Sequence, residues 1–363
     1  MNNKTYVLLA DAFGYGPITT LINVAKELKK QNIKLVFIGP LFCIEKIEKE
    51  NICDEYIHCD YSCNSVDKNI YYFKSADKII AVETTDILIY LINKYELKNL
   101  YLIDNLFWMW DFLESELKEL KKYYISNVIP CDENIRRIAN GFNNIEQVGS
   151  LRSIKRFKRI KDNNLMISLG GAKSYLIDSS ITNDFYIKCI QIILENEHIK
   201  KFKKIYIAGG KDLISVIKNK IKLNNNVEIG SFNNEEYLKR LYKCSYAIMA
   251  PGLGNFNEVI STNINVMFLL PINYSQYLQR IKYKEIYRTF NYQDNNNEKS
   301  ISEYLEESIG VNKVIDNLKS YTFNNFNKEL NDYFESNIDE IKRYELYKNI
   351  DKNGIKEIVN DLI

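Results

Sequence analysis

Glycines and a carboxylate stand close together in the segment Tyr246–Glu258, which reads Tyr-Ala-Ile-Met-Ala-Pro-Gly-Leu-Gly-Asn-Phe-Asn-Glu. Its apolar start predicts a strand, and Gly252 and Gly254 predict a sharp turn at which the backbone can approach a ligand closely. The helix expected next would aim its free N–H groups and its positive dipole end at an anion. Glu258, about one turn into that helix, has the chemistry to bind both hydroxyls of a ribose. These residues together predict a site for a nucleoside diphosphate, most simply a sugar nucleotide.

Three acidic residues in the first half of the chain follow predicted strands and are candidate proton acceptors. Asp11 ends the first strand beside a glycine loop and is the first candidate, although a turn or cap role explains it equally well. Asp104 is the second candidate. Glu83 is a third, for which the alternative is a surface acid near the start of a helix. Each position is expected at the carboxyl edge of a sheet.

Aromatic residues follow Asp104 in the segment 104–111, which contains both tryptophans of the chain, Trp108 and Trp110. Aromatic rings at the carboxyl edge of a sheet can stack on a sugar ring or a heterocycle. The alternative is an aromatic core beneath the first domain. The interpretation as a binding surface makes these two residues, with Glu83, candidates for contact with a second substrate.

Short apolar segments alternate with amphipathic helical segments such as 18–30 and 86–95, which predicts parallel sheets covered on both faces. In the first half the predicted strands are 6–10, 34–39, 55–59, 78–82, 100–104 and 125–129. In the second half they are 165–169, 204–208, 227–229, 246–249 and 266–270. Most run into a glycine or proline turn, where such sheets place their ligands.

The chain has 363 residues, a length that suits two domains better than one. We predict a first domain over 1–150, a linker over 151–163 in a basic stretch, a second domain over 164–335, and C-terminal helices over 336–363 that pack back on the first domain. A net charge of +2 gives no argument for a nucleic-acid partner.

The seven cysteines have no paired spacing, and the group Cys53, His58, Cys59 and Cys63 matches no common zinc pattern. We expect reduced thiols and no metal site. The sequence shows neither a signal-peptide pattern nor an apolar run long enough to span a bilayer. A cytoplasmic protein is therefore expected, with peripheral membrane contact left open.

With these motifs in their order, the chain resembles glycosyltransferases of the GT-B fold. The likeness is to the branch that contains the N-acetylglucosaminyl transferase of lipid II synthesis and the nucleotide-sugar-dependent natural-product transferases. It covers most of the chain and is strongest from Leu165 to Gln279. It implies an α/β architecture of two Rossmann-like domains facing a cleft, with the donor nucleotide sugar on the C-terminal domain and the acceptor on the N-terminal domain.

The resemblance assigns donor-binding residues motif by motif. The segments 168–174 and 205–210 resemble two glycine loops of the family, 227–232 resembles the part that meets a uracil base, and 251–258 resembles the diphosphate and ribose element. Of two glutamines after the next strand, Gln276 matches the sugar-binding position better than Gln279. The implied donor-binding residues are Gly170, Gly171, Lys173, Gly209, Gly210, Phe232, Gly252, Leu253, Gly254, Asn255, Glu258, Gln276 and Gln279. The loop residues Phe13, Gly14, Tyr15 and Gly16 are implied to bind the acceptor.

The sequence departs from the family pattern at Pro17, which stands where a loop histidine often acts as the catalytic base. The two histidines of the chain, His58 and His198, lie elsewhere. We therefore expect a carboxylate, Asp11 or Asp104, to act as the base. No Asp-x-Asp pair occurs in the sequence, so we expect transfer that needs no metal and no other cofactor, with inversion at the sugar.

The predicted function is transfer of a sugar from a nucleotide-diphosphate donor, uridine being the expected base, to a small-molecule or lipid-linked acceptor with a hydroxyl or amine. Two alternatives remain open. The same fold serves nucleotide-sugar epimerases and hydrolases, which need no second substrate. A non-catalytic nucleotide-sugar-binding partner protein is the other alternative, and Pro17 is the feature that favours it.

Overall fold

The computed structural model describes residues 4–12, 15–152, 162–171, 177–260, 262, 264–284, 287–291, 301, 306–335 and 352–363. The chain divides into two compact units, Met1–Ser153 with Lys348–Ile363, and Ile154–Tyr347. Each unit is built on one parallel sheet. Predicted positions Phe13, Gly14 and Lys173, most of the predicted linker, and residues 336–351 of the C-terminal segment lie outside the described residues.

The first unit contains a seven-stranded parallel sheet in the order β3-β2-β1-β4-β5-β6-β7. Its strands are β1 Thr5–Ala10, β2 Lys34–Gly39, β3 Glu55–His58, β4 Lys78–Val82, β5 Leu100–Asp104, β6 Lys122–Ser126 and β7 Ile145–Val148. Its helices are α1 Gly16–Lys29, α2 Leu41–Ile47, α3 Cys63–Lys68, α4 Ile70–Ser75, α5 Thr85–Tyr95 and α6 Asp132–Ile138, with 3₁₀ turns at Glu48–Glu50, Phe107–Met109 and Ser115–Glu119.

The second unit contains a six-stranded parallel sheet in the order β10-β9-β8-β11-β12-β13. Its strands are β8 Asn164–Ser168, β9 Lys204–Ala208, β10 Val227–Gly230, β11 Tyr246–Met249, β12 Asn265–Phe268 and β13 Arg288–Thr289. Its helices are α7 Ser179–Glu195, α8 Lys211–Lys220, α9 Asn234–Leu241, α10 Leu253–Val259, α11 Tyr274–Tyr283, α12 Glu307–Ser320 and α13 Phe326–Glu335, with a 3₁₀ turn at Glu197–Lys201.

A last helix, α14 Gly354–Leu362, belongs to the first unit. Its apolar face enters the core that α1 shares with the sheet, through the buried residues Ile355, Ile358, Val359 and Leu362. Two glycines let the backbones meet, because a Cβ at Gly149 would lie 2.2 Å from the carbonyl oxygen of Lys352 and one at Gly354 would lie 2.4 Å from that of Gly149.

The predicted α/β fold with two Rossmann-like parallel sheets is confirmed. The central strands are fully buried apolar runs, as in β1 and β8, which is why the sequence predicts them. The prediction for β6 was displaced by three residues. That strand begins at Lys122 and contains the buried rings of Tyr123 and Tyr124. The sheet-edge strands β7 and β13 were not predicted, since one alternates with polar residues and the other has only two residues.

Candidate functional site

Each sheet reverses its direction of winding at one pair of neighbouring strands. In the first unit the chain leaves β1 toward β2 on one side and leaves β4 toward β5 on the other. In the second unit β8 and β11 are the corresponding pair. Connections that leave in opposite directions open a crevice beyond the carboxyl ends of the two strands, and open α/β sheets bind ligands there. We call each such pair of strands a switch point, the first formed by β1 and β4 and the second by β8 and β11. The residues that follow these four strands are therefore the candidates for function.

Glycine backbone follows β8 in the second unit. Gly170 has φ +66°, a left-handed conformation that glycine adopts without steric cost. Its carbonyl accepts from the N–H of Gly210 at 3.1 Å. The next loop, Gly209 and Gly210 after β9, lies so close that a Cβ at Gly210 would be 2.7 Å from the carbonyl oxygen of Gly171. These predicted glycines bring two loops into backbone contact.

Gly252 follows β11 and is the N-cap residue of α10, with φ −81° and ψ 147°. Within the described part of the chain no side chain caps this helix, and a Cβ at Gly252 would find nothing within 4 Å. Leu253 and Gly254 form the first turn, and both are partly exposed. Backbone N–H groups in the first turn of a helix lack intrahelical partners, although the N–H of Gly252 itself donates to the carbonyl of Ala250 at 2.8 Å.

Asn255 has a structural task at this turn. Its Nδ2 donates to the carbonyl of Ala250 at 2.8 Å, and its Oδ1 accepts from Ser168 Oγ at 3.0 Å and from the Tyr237 hydroxyl at 3.2 Å. The same hydroxyl lies 3.2 Å from Ser168 Oγ. This network joins the end of β8, helix α9 and the glycine turn. These contacts give Asn255 a structural role at the start of α10.

Glu258 lies near two tyrosines that the sequence analysis did not select. Burial, followed by the Glu258 charge, raises the pKa of Tyr237 well above its ordinary value and that of Tyr242 to about 12. Glu258 is half-buried one turn beyond the glycines. The carboxylate is therefore positioned beside hydroxyl groups at the end of the turn. Tyr237 lies in α9 and Tyr242 lies at its end. Neither tyrosine belongs to a recognisable sequence motif.

Phe232 follows β10 and packs over Gly230, where a Cβ would lie 2.9 Å from the ring. The guanidinium of Arg240 lies 4.0 Å from the centre of the same ring. Arg240 is itself held by Glu228, whose Oε1 accepts from Nε at 2.8 Å and from Nη2 at 2.6 Å. Phe232 is thus a fixed, half-buried ring at the carboxyl edge of the sheet.

The two candidate glutamines on α11 have different environments. Gln276 is half-buried, and its Oε1 accepts from the N–H of Ile272 at 3.1 Å. Gln279 is only 3% exposed, and its Oε1 accepts from the Tyr283 hydroxyl at 3.2 Å. The structure therefore places Gln279 in the interior, away from a ligand-facing surface, and leaves Gln276 as the glutamine at the edge.

Asp104, the second candidate base, lies in an enclosed environment at the end of β5. It is 2% exposed, and burial raises its pKa although hydrogen bonds oppose that shift. Its Oδ2 accepts from Tyr123 at 2.7 Å and Trp110 Nε1 at 2.8 Å, and its Oδ1 accepts from the N–H of Leu106 at 2.6 Å. A carboxylate with its oxygens so occupied holds the loop together.

Trp108 is likewise part of the interior. It is 7% exposed, and its Nε1 donates to the carbonyl of Asn105 at 3.1 Å. Trp110 is half-buried and anchored by Asp104. The aromatic-core alternative therefore describes Trp108, because its ring is covered and its only polar atom is bonded. Trp110 is the tryptophan that keeps an exposed edge.

Asp11 and Glu83 follow the two strands of the first switch point, β1 and β4. The N–H of Asp11 donates to the carbonyl of Val82 at 3.0 Å, which ties the two strand ends together. Both side chains are half-buried. Glu83 Oε1 accepts from Asn105 Nδ2 at 2.8 Å. Two of the three predicted acids are thus neighbours at the place where the first sheet can hold a ligand.

The start of α1 borders Asp11. Tyr15 stacks on Phe42 with ring centroids 5.0 Å apart, and Lys46 Nζ lies 5.3 Å from the centre of the Tyr15 ring. A Cβ at Gly16 would have nothing within 4 Å, so the chain enters the helix with open space beside it. Pro17 occupies the first turn of α1.

Metal binding and membrane crossing find no support in the described residues. These contain no group of three or more His, Cys, Asp and Glu side chains arranged to hold an ion. All seven cysteines are free thiols. Within the same ranges no helix has both the length and the apolar character that crossing a bilayer requires.

Several solved glycosyltransferases share this fold over nearly their whole length. MurG of Acinetobacter baumannii matches with a TM-score of 0.54 and 13% identity, covering 99% of this chain and 98% of its own. CalG4, the calicheamicin glycosyltransferase, matches with 0.55 and 9%, covering 100% and 98%. LpCGTa, solved in complex with UDP, matches with 0.50 and 8%, covering 96% and 99%. No family model and no curated protein matches the sequence.

At these identities the comparison establishes the fold. The chain has the two Rossmann-like domains of GT-B proteins, and the resemblance inferred from the motifs is confirmed at that level.

Proposed function

We propose that this protein is a glycosyltransferase that moves a sugar from a nucleoside-diphosphate donor, with UDP as the expected nucleotide, to a hydroxyl or amine acceptor. The GT-B fold supports the class, since the solved proteins that share it are glycosyltransferases. One of them was solved with UDP. The sugar and the acceptor are left to experiment.

The observation that carries the proposal is the glycine turn at the second switch point. Gly252 starts α10 with open space before it, Gly170 and Gly210 bring a second loop alongside, and Glu258 follows one turn later. Backbone N–H groups and a helix dipole stabilise a diphosphate without a metal ion. A carboxylate next to the diphosphate site can bind the ribose hydroxyls. We assign Gln276 to the donor sugar and Phe232 to the border of the base.

Glycosyl transfer needs two further contributions. The leaving diphosphate gains negative charge as the sugar–oxygen bond breaks, and the preorganised amides of the glycine turn stabilise that charge. The acceptor must lose a proton as it attacks. In this proposal the first unit binds the acceptor, and a carboxylate at its switch point supplies the base. The absence of an Asp-x-Asp pair from the sequence supports transfer without a metal, and the proposal includes inversion at the sugar.

A nucleotide panel tests the donor site directly. Thermal unfolding is measured with UDP, TDP, GDP and ADP, and then with sugar derivatives of the best nucleotide. A ligand that binds only the folded state raises the melting temperature by mass action. We expect UDP and one group of UDP-sugars to raise it. Equal and negligible shifts for every nucleotide would refute the donor site, and a sugar nucleotide converted without an acceptor would favour an epimerase or hydrolase.

A further inference from the structure

The backbone of Glu83 is unusual for its position at the end of β4. Its φ is +60°, in the left-handed region where a long side chain is disfavoured and glycine or asparagine is common. Its N–H donates to the carbonyl of Ile103 at 3.0 Å, so the strand ladder holds the residue in this conformation. Strained backbone of this kind concentrates where a side chain has a task.

Asn105 contacts the Glu83 carboxylate, and Thr20 in turn contacts Asn105. Asn105 Nδ2 donates to Glu83 Oε1 at 2.8 Å and lies 3.2 Å from Thr20 Oγ1. Asn105 is 7% exposed and Thr20 is 2% exposed. Asn105 comes from the end of β5 and Thr20 from α1, so the position of the carboxylate is determined by three elements together.

An unsatisfied hydroxyl lies next to Glu83 in the chain. Thr84 is 4% exposed, and its Oγ1 has no hydrogen-bond partner among the described residues. It stands at the start of α5, where the described residues provide no side-chain cap. Buried polar atoms are nearly always bonded, and each exception asks for an explanation. This one lies beside the left-handed backbone of Glu83, so an unmade hydrogen bond and strained backbone coincide at the end of β4.

Burial and neighbouring negative charges raise the pKa of the Glu83 carboxyl group toward neutral pH. Burial is the main cause, and the negative charges of Asp104 and then Asp11 add to it, so that the pKa of Glu83 is raised from 4.5 to about 8. Asp104 faces it from β5 and Asp11 from the end of β1, while α1 contributes the uncharged Thr20. A base with such a pKa is well matched to accepting a proton near neutrality.

We propose that Glu83, and neither Asp11 nor Asp104, accepts the proton of the acceptor in the reaction of this protein. This inference rests on the proposed function. As the acceptor oxygen bonds to the anomeric carbon of the sugar, its proton passes to the Glu83 carboxylate. The bond from that carbon to the diphosphate breaks, and its electron pair leaves with the nucleoside diphosphate. Glu83 later returns the proton to solvent. Asn105 acts as a positioning residue for the carboxylate.

The test compares Glu83→Gln, Asp11→Asn and Glu96→Gln. Glu96 is the matched control, since it is also a glutamate with left-handed backbone, φ +55°, but is exposed at the end of α5. The measured quantity is UDP released from UDP-glucose and UDP-N-acetylglucosamine, in water and with a mixture of sugar and phenol acceptors. UDP affinity is measured by calorimetry in parallel.

We expect Glu83→Gln to lower turnover by about a hundredfold or more, with UDP affinity unchanged, and Glu96→Gln to change neither. The unaltered protein should gain activity as the pH rises through about 8. Asp11→Asn should stay active and reach full activity at lower pH, because one neighbouring negative charge is gone.

Loss of turnover in Asp11→Asn with full activity in Glu83→Gln would overturn the assignment. So would a protein that binds UDP-sugars but never releases UDP from them, since no proton would then need an acceptor. Failure of UDP to bind at all would instead refute the proposed function, and these outcomes are distinguishable.

A stability measurement separates a catalytic role from a structural one without any substrate. Because the folded-state pKa of Glu83 is raised, its stabilising contribution is complete below about pH 4.5 and is lost as the pH rises toward 8. Glu83→Gln should therefore melt at a higher temperature than the unaltered protein at pH 8.5, with the difference shrinking toward pH 5. A lower melting temperature for Glu83→Gln at pH 8.5 would mark the carboxylate as structural and contradict the proposal.

Discussion

The two switch points of this protein share one topology and carry opposite chemistry. Beyond β8 and β11 the chain has glycine loops at Gly170 and Gly252, and we propose that the N–H groups at the start of α10 bind an anion. Beyond β1 and β4 it presents Asp11 and Glu83, whose carboxylates repel an anion and are able to accept a proton. Strand order thus locates a crevice, whereas the residue types that follow the strands decide what the crevice can do.

After the loss of turnover expected for Glu83→Gln, the largest effect on UDP binding should come from placing a negative charge at the second switch point. Gly252→Asp fits sterically, since a Cβ there meets nothing within 4 Å, and aspartate is a good N-cap residue. Its negative charge replaces the anion, so we expect UDP affinity to fall by roughly thirtyfold, or about 2 kcal/mol. Calorimetric titration with UDP measures the change.

Gly16→Asp is the matched control for that substitution. Gly16 also begins a helix, and a Cβ there also meets nothing within 4 Å, but it lies in the first unit. The same charge should leave UDP affinity unchanged. An equal loss of affinity in both variants would mean that the effect is not local to the glycine turn, and the contrast between the two switch points would disappear.

Asp104→Ala should show that the carboxylate at the end of β5 has a structural role. The substitution leaves the Trp110 and Tyr123 donors buried without their acceptor, which should lower the free energy of unfolding by about 3 kcal/mol. Urea unfolding followed by tryptophan fluorescence reports on this unit, because Trp108 and Trp110 are the only tryptophans in the sequence. UDP affinity of the folded protein should not change.

Asp111→Ala is the control for Asp104→Ala, because Asp111 is exposed and paired with Arg137 at the surface. Surface pairs contribute little, so the change should be about 0.5 kcal/mol or less. A stability of Asp104→Ala close to that of Asp111→Ala would reopen a direct role for Asp104 in the reaction.

A smaller effect on UDP binding than that of Gly252→Asp is expected for Tyr237→Phe, which tests how the glycine turn is held. The variant removes the hydroxyl that bridges Ser168 and Asn255 and lies near Glu258. We expect a loss of about 1 kcal/mol in UDP binding, near fivefold, with a smaller change in maximal turnover. Tyr90→Phe, in the first unit, should leave both quantities unchanged. Equal binding by Tyr237→Phe would exclude this network from positioning the donor.

Much of the second site could be predicted from sequence because its chemistry resides in the backbone. A glycine pair after an apolar strand and before a helix is a local pattern, so Gly170, Gly252 and Gly254 could be selected without knowing the fold. Tyr237, whose hydroxyl contacts Ser168 and Asn255 at this turn, comes from α9. Its sequence distance from the glycines leaves no local signal of the contact.

The first site was harder to predict because side chains after strands look alike in sequence. Asp11, Glu83 and Asp104 all follow buried strands, and only burial and hydrogen-bond partners separate them. Asp104 is enclosed by Trp110 and Tyr123, while Glu83 is half-buried and accepts a hydrogen bond from Asn105, which also contacts Thr20. The sequence favoured Asp11 and Asp104 over Glu83, because burial and hydrogen-bond partners cannot be read from the sequence.

The sequence by itself determined the alternation of strands and helices, the two parallel sheets and the glycine turns, because apolar periodicity and glycine placement act over short distances along the chain. Only the tertiary structure decided which acid is enclosed by its neighbours, which tryptophan is covered and which hydroxyls hold the glycine turn at Gly252. Those properties depend on burial and on contacts between residues far apart in sequence, and they arise when the sheet brings its strand ends together.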